Sequence, residues 1–231
     1  MTKYQASILL NKTDIKKTTT RTFSLILTLF LGVACTTVKE QPHSFLVLQT
    51  NTSEEYAYTD SKNRIVVPYG RYSMCLTDTI KTIGFVMKSN HGCWAIDNKG
   101  KELFRVYVVD NGNDFPSEGV FRILDQGGNK IGFADMNGKV IVPPRYDAAF
   151  PFSEGMAAVG NGTEKVDISN GEGHCVFKGG KWGFINLSGE EVIPLEYDSI
   201  ASLGKFKDGK AEVWKNNQGF MIDKSNEKEA L

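Results

Sequence analysis

Short apolar runs alternate with polar turn residues along most of the chain. Each copy of the pattern begins with about four apolar-biased residues, followed by Asp or Asn, two spacer residues and Gly or Asn. A charged residue and a second apolar run follow, and this run often ends with Pro. Asp or Asn at the start of a turn can accept hydrogen bonds from the backbone two residues on, and Gly or Asn later in the turn tolerates a positive φ. The pattern therefore predicts a β-hairpin, and its repetition predicts an all-β chain.

Five copies of this hairpin pattern are recognisable. Their turns begin at Asp60, Asp97, Asp135, Asn186 and Asp223. The spacings between these residues are 37, 38, 51 and 37. The long spacing contains an insertion of about thirteen residues within the polar, Gly-rich segment 160–180. Such a regular spacing indicates a repeat architecture with one enlarged loop.

Each hairpin continues into a tail, best seen after Pro143 and Pro194. The tail contains Tyr-Asp, an aromatic residue, an acidic-Gly turn and a short apolar strand, so a unit of about 37 residues is expected to form three strands. Pro lacks a backbone N–H, and we expect these two prolines to end the pairing of their strands. A unit this small cannot bury its apolar face alone. The prediction is one domain, residues 45–231, of stacked antiparallel β-hairpin repeats.

The units resemble those of the WG-repeat (WG β-repeat) family. The resemblance is close over residues 130–159 and 181–213, moderate over 94–124, and partial over 58–72 and 218–231. It implies an extracytoplasmic or interaction role, as for many members of the family, with no shared enzymatic activity, substrate or cofactor. In the Trp182-Gly183-Phe184 step we expect the indole to pack in the core and Gly183 to let neighbouring atoms come close.

The N-terminal segment has a different composition. Five basic residues and one acidic residue precede the apolar run Phe23–Ala34, which is short for a membrane-spanning helix and typical of a signal peptide, residues 1–34. The run ends in LGVAC, which resembles a bacterial lipobox, with cleavage between Ala34 and Cys35, although Gly32 departs from the usual Leu. We expect lipidation of Cys35, a linker 35–44 and a membrane-attached lipoprotein of the bacterial cell envelope. An ordinary signal peptide is the alternative.

Removal of the signal segment leaves 22 of the 27 basic and 26 of the 27 acidic residues, a formal charge of −4. This charge, without a clustered basic face, argues against a nucleic-acid partner. Three cysteines then remain besides Cys35, namely Cys75, Cys93 and Cys175. They allow one disulfide at most, and the sequence does not decide whether one forms.

Candidate catalytic and metal residues are sparse. The only histidines are His43, His91 and His174, and no serine stands in a Gly-x-Ser-x-Gly elbow, so we expect no enzyme and no cofactor. His91 with Cys93, and His174 with Cys175, supply zinc-type ligands, but the pairs lie about 80 residues apart in sequence. The stretches 110–114 and 167–173 could supply calcium ligands, although turn chemistry explains the same residues. We expect no metal site.

Two binding hypotheses follow. The first is a non-enzymatic envelope lipoprotein whose repeat domain binds another protein, with the insertion and its His174 as a candidate binding region, because insertions in stacked repeats often lie on the binding face. The alternative is a glycan-binding module of the envelope that stacks sugars on exposed indoles. The candidate side chains are Trp94, Trp182 and Trp214.

Overall fold

The computed structural model of the chain describes residues 45–109, 112–167 and 175–231. These residues form 23 β-strands, and the only helix among them is a single 3-10 turn, Ser202–Gly204. No helix in the described ranges is long and apolar enough to cross a membrane. Cys35, His174 and the side chain of Cys175 lie outside the described residues. The predicted all-β class is confirmed.

Residues 46–106 form the first eight strands. They are β1 (Leu46–Thr50), β2 (Tyr56–Thr59), β3 (Ile65–Val67), β4 (Met74–Cys75), β5 (Thr79–Ile80), β6 (Ile83–Lys88), β7 (Gly92–Asp97) and β8 (Glu102–Val106). One antiparallel sheet has the order β3-β2-β1-β5, and β4, β6, β7 and β8 enter the next sheet.

The central segment adds five strands. They are β9 (Val108–Val109), β10 (Gly112–Asn113), β11 (Val120–Leu124), β12 (Ile131–Asp135) and β13 (Val140–Tyr146). Strands β9 and β10 form a two-stranded ribbon. Pairing of β11 with β8 joins two units into a seven-stranded sheet, β13-β12-β11-β8-β7-β6-β4.

The last segment completes the strand order. It contains β14 (Ala148–Ala149), β15 (Met156–Asn161), β16 (Glu164–Asp167), β17 (Cys175–Lys178), β18 (Lys181–Asn186), β19 (Glu191–Tyr197), β20 (Ser199–Ile200), β21 (Lys210–Lys215), β22 (Gln218–Asp223) and β23 (Lys228–Ala230). They form two four-stranded sheets, β14-β15-β18-β19 and β20-β21-β22-β23, and a separate ribbon, β16-β17.

The five predicted hairpin turns share one hydrogen-bond geometry. In each, the Oδ1 atom of the leading residue accepts backbone N–H groups two and four residues later, at Asp60, Asp97, Asp135, Asn186 and Asp223. The fourth turn residue has a positive φ throughout, at Asn63, Gly100, Gly138, Gly189 and Asn226. The side chain thus fixes the turn, as the sequence pattern predicts.

Each four-stranded sheet in the last part of the chain combines strands of two successive sequence units. The tail strand β15 of the third unit pairs with β18 of the fourth unit along six residue pairs, and β21 pairs with β22 in the same way. A two-residue strand, β14 or β20, precedes each tail strand and completes a four-stranded sheet. The expectation of three strands per unit is therefore wrong, because the Tyr-Asp segment contributes a strand too short to have a periodic signal.

Four apolar clusters form the core. Each joins residues of successive units, and the largest contains Ala158, Phe184 and Ile193 from one sheet and Val213 and Ile222 from the next. Two of the other clusters also join neighbouring sheets, whereas the third lies within the seven-stranded sheet. The seven-stranded sheet and the sheet β14-β15-β18-β19 therefore each bury apolar residues against two neighbouring sheets, as stacked units require.

Gly183 shows why the Trp182-Gly183-Phe184 step contains a glycine. Strand β19 bulges opposite it, because Trp182 pairs with Tyr197 and Phe184 with Ile193. A Cβ atom on Gly183 would lie 2.4 Å from the Ile193 carbonyl oxygen. The bulge contains Pro194, and Pro143 occupies the matching position in β13, so both prolines lie within their strands. The expectation that these prolines end the pairing is wrong, because the bulge accommodates a residue without an N–H.

Ion pairs close the two best-preserved units. Lys130 contacts Asp147 at 2.6 Å, and Lys181 contacts Asp198 at 2.5 Å, so each lysine that begins a unit pairs with the aspartate of its Tyr-Asp step. The acidic-Gly turns are linked in a similar way. The Glu154 carboxylate accepts the N–H groups of Asp208 and Gly209, at 2.8 and 2.9 Å. The ion pairs therefore lie within their units, whereas the Glu154 contacts link the third unit to the fourth.

Candidate binding cleft beside the inserted hairpin

The insertion within 160–180 contains a β-hairpin. Glu164 pairs with Lys178 and Val166 with Val176 in its antiparallel register. The sequence presents this segment as a polar loop, but the β-branched and aromatic residues Val166, Val176 and Phe177 favour strands, and this weak signal could have revealed the ribbon. The hairpin adds a surface that the other units lack.

Phe177 attaches the inserted hairpin to the repeat. Its ring meets Trp182 edge-on with centroids 6.3 Å apart, and meets Phe150 at 5.9 Å in the same geometry. Phe150 and Trp182 are stacked, 5.7 Å apart with an interplanar angle of 20°. These three rings form an aromatic cluster, which uses geometries that stabilise aromatic pairs beyond the area they bury.

A cleft of about 520 Å³ opens beside this aromatic cluster. Its apolar lining includes the three rings, Ile200 and Leu203, and its polar lining includes Arg122, Lys178 and Asp198. A concave apolar surface with a few polar groups is the usual form of a binding site. We refer to this feature as the aromatic cleft.

Arg122 is the fixed charged group of the aromatic cleft. Its guanidinium forms two hydrogen bonds with the Asp114 carboxylate, at 2.6 and 3.0 Å, and donates a third to the Ala149 carbonyl. Both residues are buried, and the guanidinium also lies 4.1 Å from the centre of the Tyr107 ring. The partners of Arg122 hold its side chain in place and compensate its charge. Arg122 therefore contributes a fixed surface to the cleft and not an unpaired cation.

Two strand edges flank the aromatic cleft. Within the described residues, β17 pairs only with β16, and β20 pairs only with β21. Val176, Phe177, Ser199 and Ile200 from these two strands line the cleft. An edge strand with an unused side offers backbone N–H and C=O groups to an added strand.

Leu203 lies at the mouth of the aromatic cleft. Its side chain is 56% exposed, and its backbone has a positive φ of 60°. The 3-10 turn that contains it presents an aliphatic side chain to solvent beside an apolar cavity. An exposed leucine side chain and a backbone with positive φ are both energetically unfavourable. Such features are found together at functional surfaces.

The predicted tryptophans occupy three different environments. Trp182 is 4% exposed and belongs to the core, so it has no free ring face to offer a sugar. Trp94 is half-buried, donates its indole N–H to the His91 carbonyl and lies 4.6 Å from the Lys88 ammonium. Trp214 is half-buried on β21. Of the three, only Trp182 lines the aromatic cleft.

The described part of the chain brings no metal-binding cluster together. No group of three or more His, Cys, Asp or Glu side chains within it is placed to hold an ion. Cys75 and Cys93 are free thiols, and burial raises the pKa of Cys93 to about 12. A thiol with such a pKa is protonated at neutral pH and unreactive as a nucleophile.

The comparisons with known proteins identify the repeat. The WG containing repeat family matches residues 131–162 and 182–218, the two units that carry the closest resemblance. These two units are therefore WG repeats, as the sequence pattern predicts. No curated protein matches the chain significantly.

Among solved structures, the chain is similar to the computationally designed Ika8 protein. The sequence identity is 10% and the TM-score is 0.34. The alignment covers 81% of this chain and 62% of the designed chain.

Proposed function

We propose that this chain is a non-enzymatic protein-binding module whose aromatic cleft holds an extended segment of a protein partner. The observation that carries the proposal is the combination of an apolar, aromatic cavity with an unused strand edge on each side. The repeat scaffold supports it, because stacked units offer rigid surfaces on which an insertion can create an individual site.

Strand addition explains both features of the cleft. An extended peptide that pairs with β17 or β20 gains backbone hydrogen bonds, while alternate side chains of the peptide enter pockets that select its sequence. The volume of about 520 Å³ falls within the range of ligand-binding clefts and accommodates a large apolar side chain with its neighbours. Insertion of that side chain against Phe150, Phe177 and Leu203 would supply the main binding energy.

The test measures binding by variants of Leu203. We would immobilise the purified chain, pass over it an envelope extract from the native host, and repeat the measurement after protease digestion of the extract. Leu203→Glu should weaken binding at least tenfold, because it places a charge at the mouth of an apolar cavity. Glutamate adopts the same positive φ at Glu154, so the substitution suits the backbone.

The matched control is Ile65→Glu, at a residue that is 58% exposed in the first unit and distant from the cleft in sequence. It should leave binding unchanged. Loss of binding after digestion supports a protein partner. Binding that survives digestion, or that is equally weak in both variants, contradicts the proposal, and survival would favour the glycan alternative.

We also propose that the mature protein is a lipoprotein, attached to a bacterial envelope membrane through Cys35. The support is the LGVAC sequence after a basic segment and an apolar run. Two or more acyl chains provide a stable membrane anchor. Radiolabelled palmitate should be incorporated into the native chain and not into Cys35→Ser, and labelling of both would contradict this part of the proposal.

A further inference from the structure

A second cavity, of about 400 Å³, lies beside the aromatic cleft. Tyr107 and Phe177 line both cavities. The remaining lining differs in character, because Arg105, Thr163, Lys165 and Asn129 give it cationic and hydrogen-bonding groups. We refer to it as the polar cavity.

Two buried polar atoms of the polar cavity lack partners. They are Nε of Arg105 and Oγ1 of Thr163, and within the described chain no other buried side-chain nitrogen or oxygen is left unpaired. Leaving such an atom buried and unpaired costs about 1 to 3 kcal/mol. Two orphans in the lining of one cavity are therefore evidence for a ligand that completes their hydrogen bonds.

The orphaned Arg105 is held in position by its other contacts. Its Nη1 donates to the Gln126 carbonyl at 2.9 Å, and no described acidic side chain forms an ion pair with it. A Cβ atom on Gly128 would lie 2.8 Å from Nη1, so the absence of a side chain there makes room for the guanidinium. The guanidinium is thus held in place and charged, and its buried Nε–H lacks a partner among the described residues.

The charges of the polar cavity favour an anion. Arg105 and Lys165 are cations, whereas Asp147 is the only carboxylate in the described lining and already binds Lys130 at 2.6 Å. Burial raises the pKa of Asp147, but the Lys130 ammonium and the Gly162 N–H outweigh this effect and lower it. Asp147 is therefore neutralised by Lys130, whereas no carboxylate of the described residues forms an ion pair with Arg105 or Lys165.

We propose that the polar cavity binds a carboxylate group, with Arg105 Nε–H and the Thr163 hydroxyl as donors and Lys165 as a neighbouring cation. A guanidinium suits a planar carboxylate better than an ammonium does, and a hydroxyl can donate a further hydrogen bond to such an acceptor. The carboxylate belongs either to an acidic side chain of a polypeptide or to a small free acid. This site is separate from the aromatic cleft and does not depend on the function proposed for it.

Calorimetric titration of the purified chain tests the proposal with two probes. One is glutarate, and the other is a glutamate residue capped as an N-acetyl amide. At least one should bind with a dissociation constant in the millimolar range or lower. Binding of both supports a site for free acids, and binding of the capped residue alone supports a polypeptide ligand. No heat from either probe overturns the proposal, and inorganic phosphate binding as tightly as the better probe overturns the choice of carboxylate.

Thr163→Val and Arg105→Lys separate binding from structure. Both should weaken the better probe at least tenfold, since the first removes the hydroxyl while keeping the shape and the second keeps the charge while removing Nε. Arg64→Lys, at an exposed residue, is the control and should bind normally. Without ligand, Thr163→Val should melt at the same or a higher temperature, because it removes an orphan. A lower melting temperature would show that the hydroxyl already has a partner and would overturn the proposal.

Discussion

Replacement of Gly183 by alanine tests the structural reason for the Trp-Gly step. The added Cβ would lie 2.4 Å from the Ile193 carbonyl oxygen and 2.7 Å from the Pro194 carbonyl carbon. Both are backbone atoms in the bulge of β19, so rotation of a side chain cannot relieve the contact. Overpacking of a core costs about 1 to 3 kcal/mol, and the upper part of that range applies where backbone must move.

We therefore expect Gly183→Ala to lower the free energy of unfolding by about 3 kcal/mol. For a domain of this size that corresponds to a fall in melting temperature of roughly 6 to 12 °C. Urea denaturation followed by tryptophan fluorescence gives the first quantity, and calorimetry gives the second. Both should be compared at the same protein concentration.

Gly112→Ala is the matched control for this substitution. The nearest atom to its added Cβ is the Val109 carbonyl oxygen at 3.7 Å, an ordinary contact. The control should change the free energy of unfolding by less than about 0.5 kcal/mol. If Gly183→Ala were as mild as Gly112→Ala, the close approach of the two strands would not be the reason for the glycine.

Two further substitutions test the polar groups. Arg122→Met should lower the free energy of unfolding by about 3 to 5 kcal/mol, because it leaves the Asp114 carboxylate buried without its partner. The double variant with Asp114→Asn should recover part of this loss in urea denaturation. No recovery would count against the pairing of the two residues. Lys215 and Lys228 lower the pKa of Glu196 to about 2 from 4.5. The folded state thus binds this proton less readily than the unfolded state, and the stability it contributes is present above pH 4.5 and lost as the pH falls towards 2. Glu196→Gln should flatten the fall of melting temperature in that interval, and an unchanged pH profile would refute this assignment.

The sequence predicts the local structure of the repeat well, because the signals are local. Asp135 and Gly138 specify one turn, and Asp or Asn followed three residues later by Gly or Asn specifies the other four. The resemblance to WG repeats rests on the same residues. Fold class and unit spacing therefore follow from positions that are close in sequence.

The arrangement between units is harder to predict, because it depends on non-local pairing. Nothing in the β15 sequence indicates that it pairs with the hairpin of the next unit rather than its own. The two-residue strands β14 and β20 are too short for any periodic signal. The sequence does contain a signal for the pairing of Lys181 with Asp198, because a lysine and an aspartate recur at the same separation in the preceding unit.

The candidate site was predictable only in part. The insertion was a reasonable place to expect a binding region that the other units lack, and its hairpin does form one border of the aromatic cleft. The tryptophans were less informative, since a strand position can place an indole in the core or at the surface. The orphans Arg105 and Thr163 have no sequence signal, because they are distant in sequence and only the fold places them in one cavity.

Photo-crosslinking from position 203 shows whether a partner protein contacts the aromatic cleft. A benzophenone amino acid replaces Leu203 in one sample and Ile65 in another, and each is irradiated with envelope extract from the native host. We expect a protease-sensitive adduct from position 203 that excess native chain suppresses and excess Leu203→Glu chain does not, with no such adduct from position 65. Equal adducts from both positions, or an adduct that the two competitors suppress equally, would contradict the assignment of the aromatic cleft as the binding site.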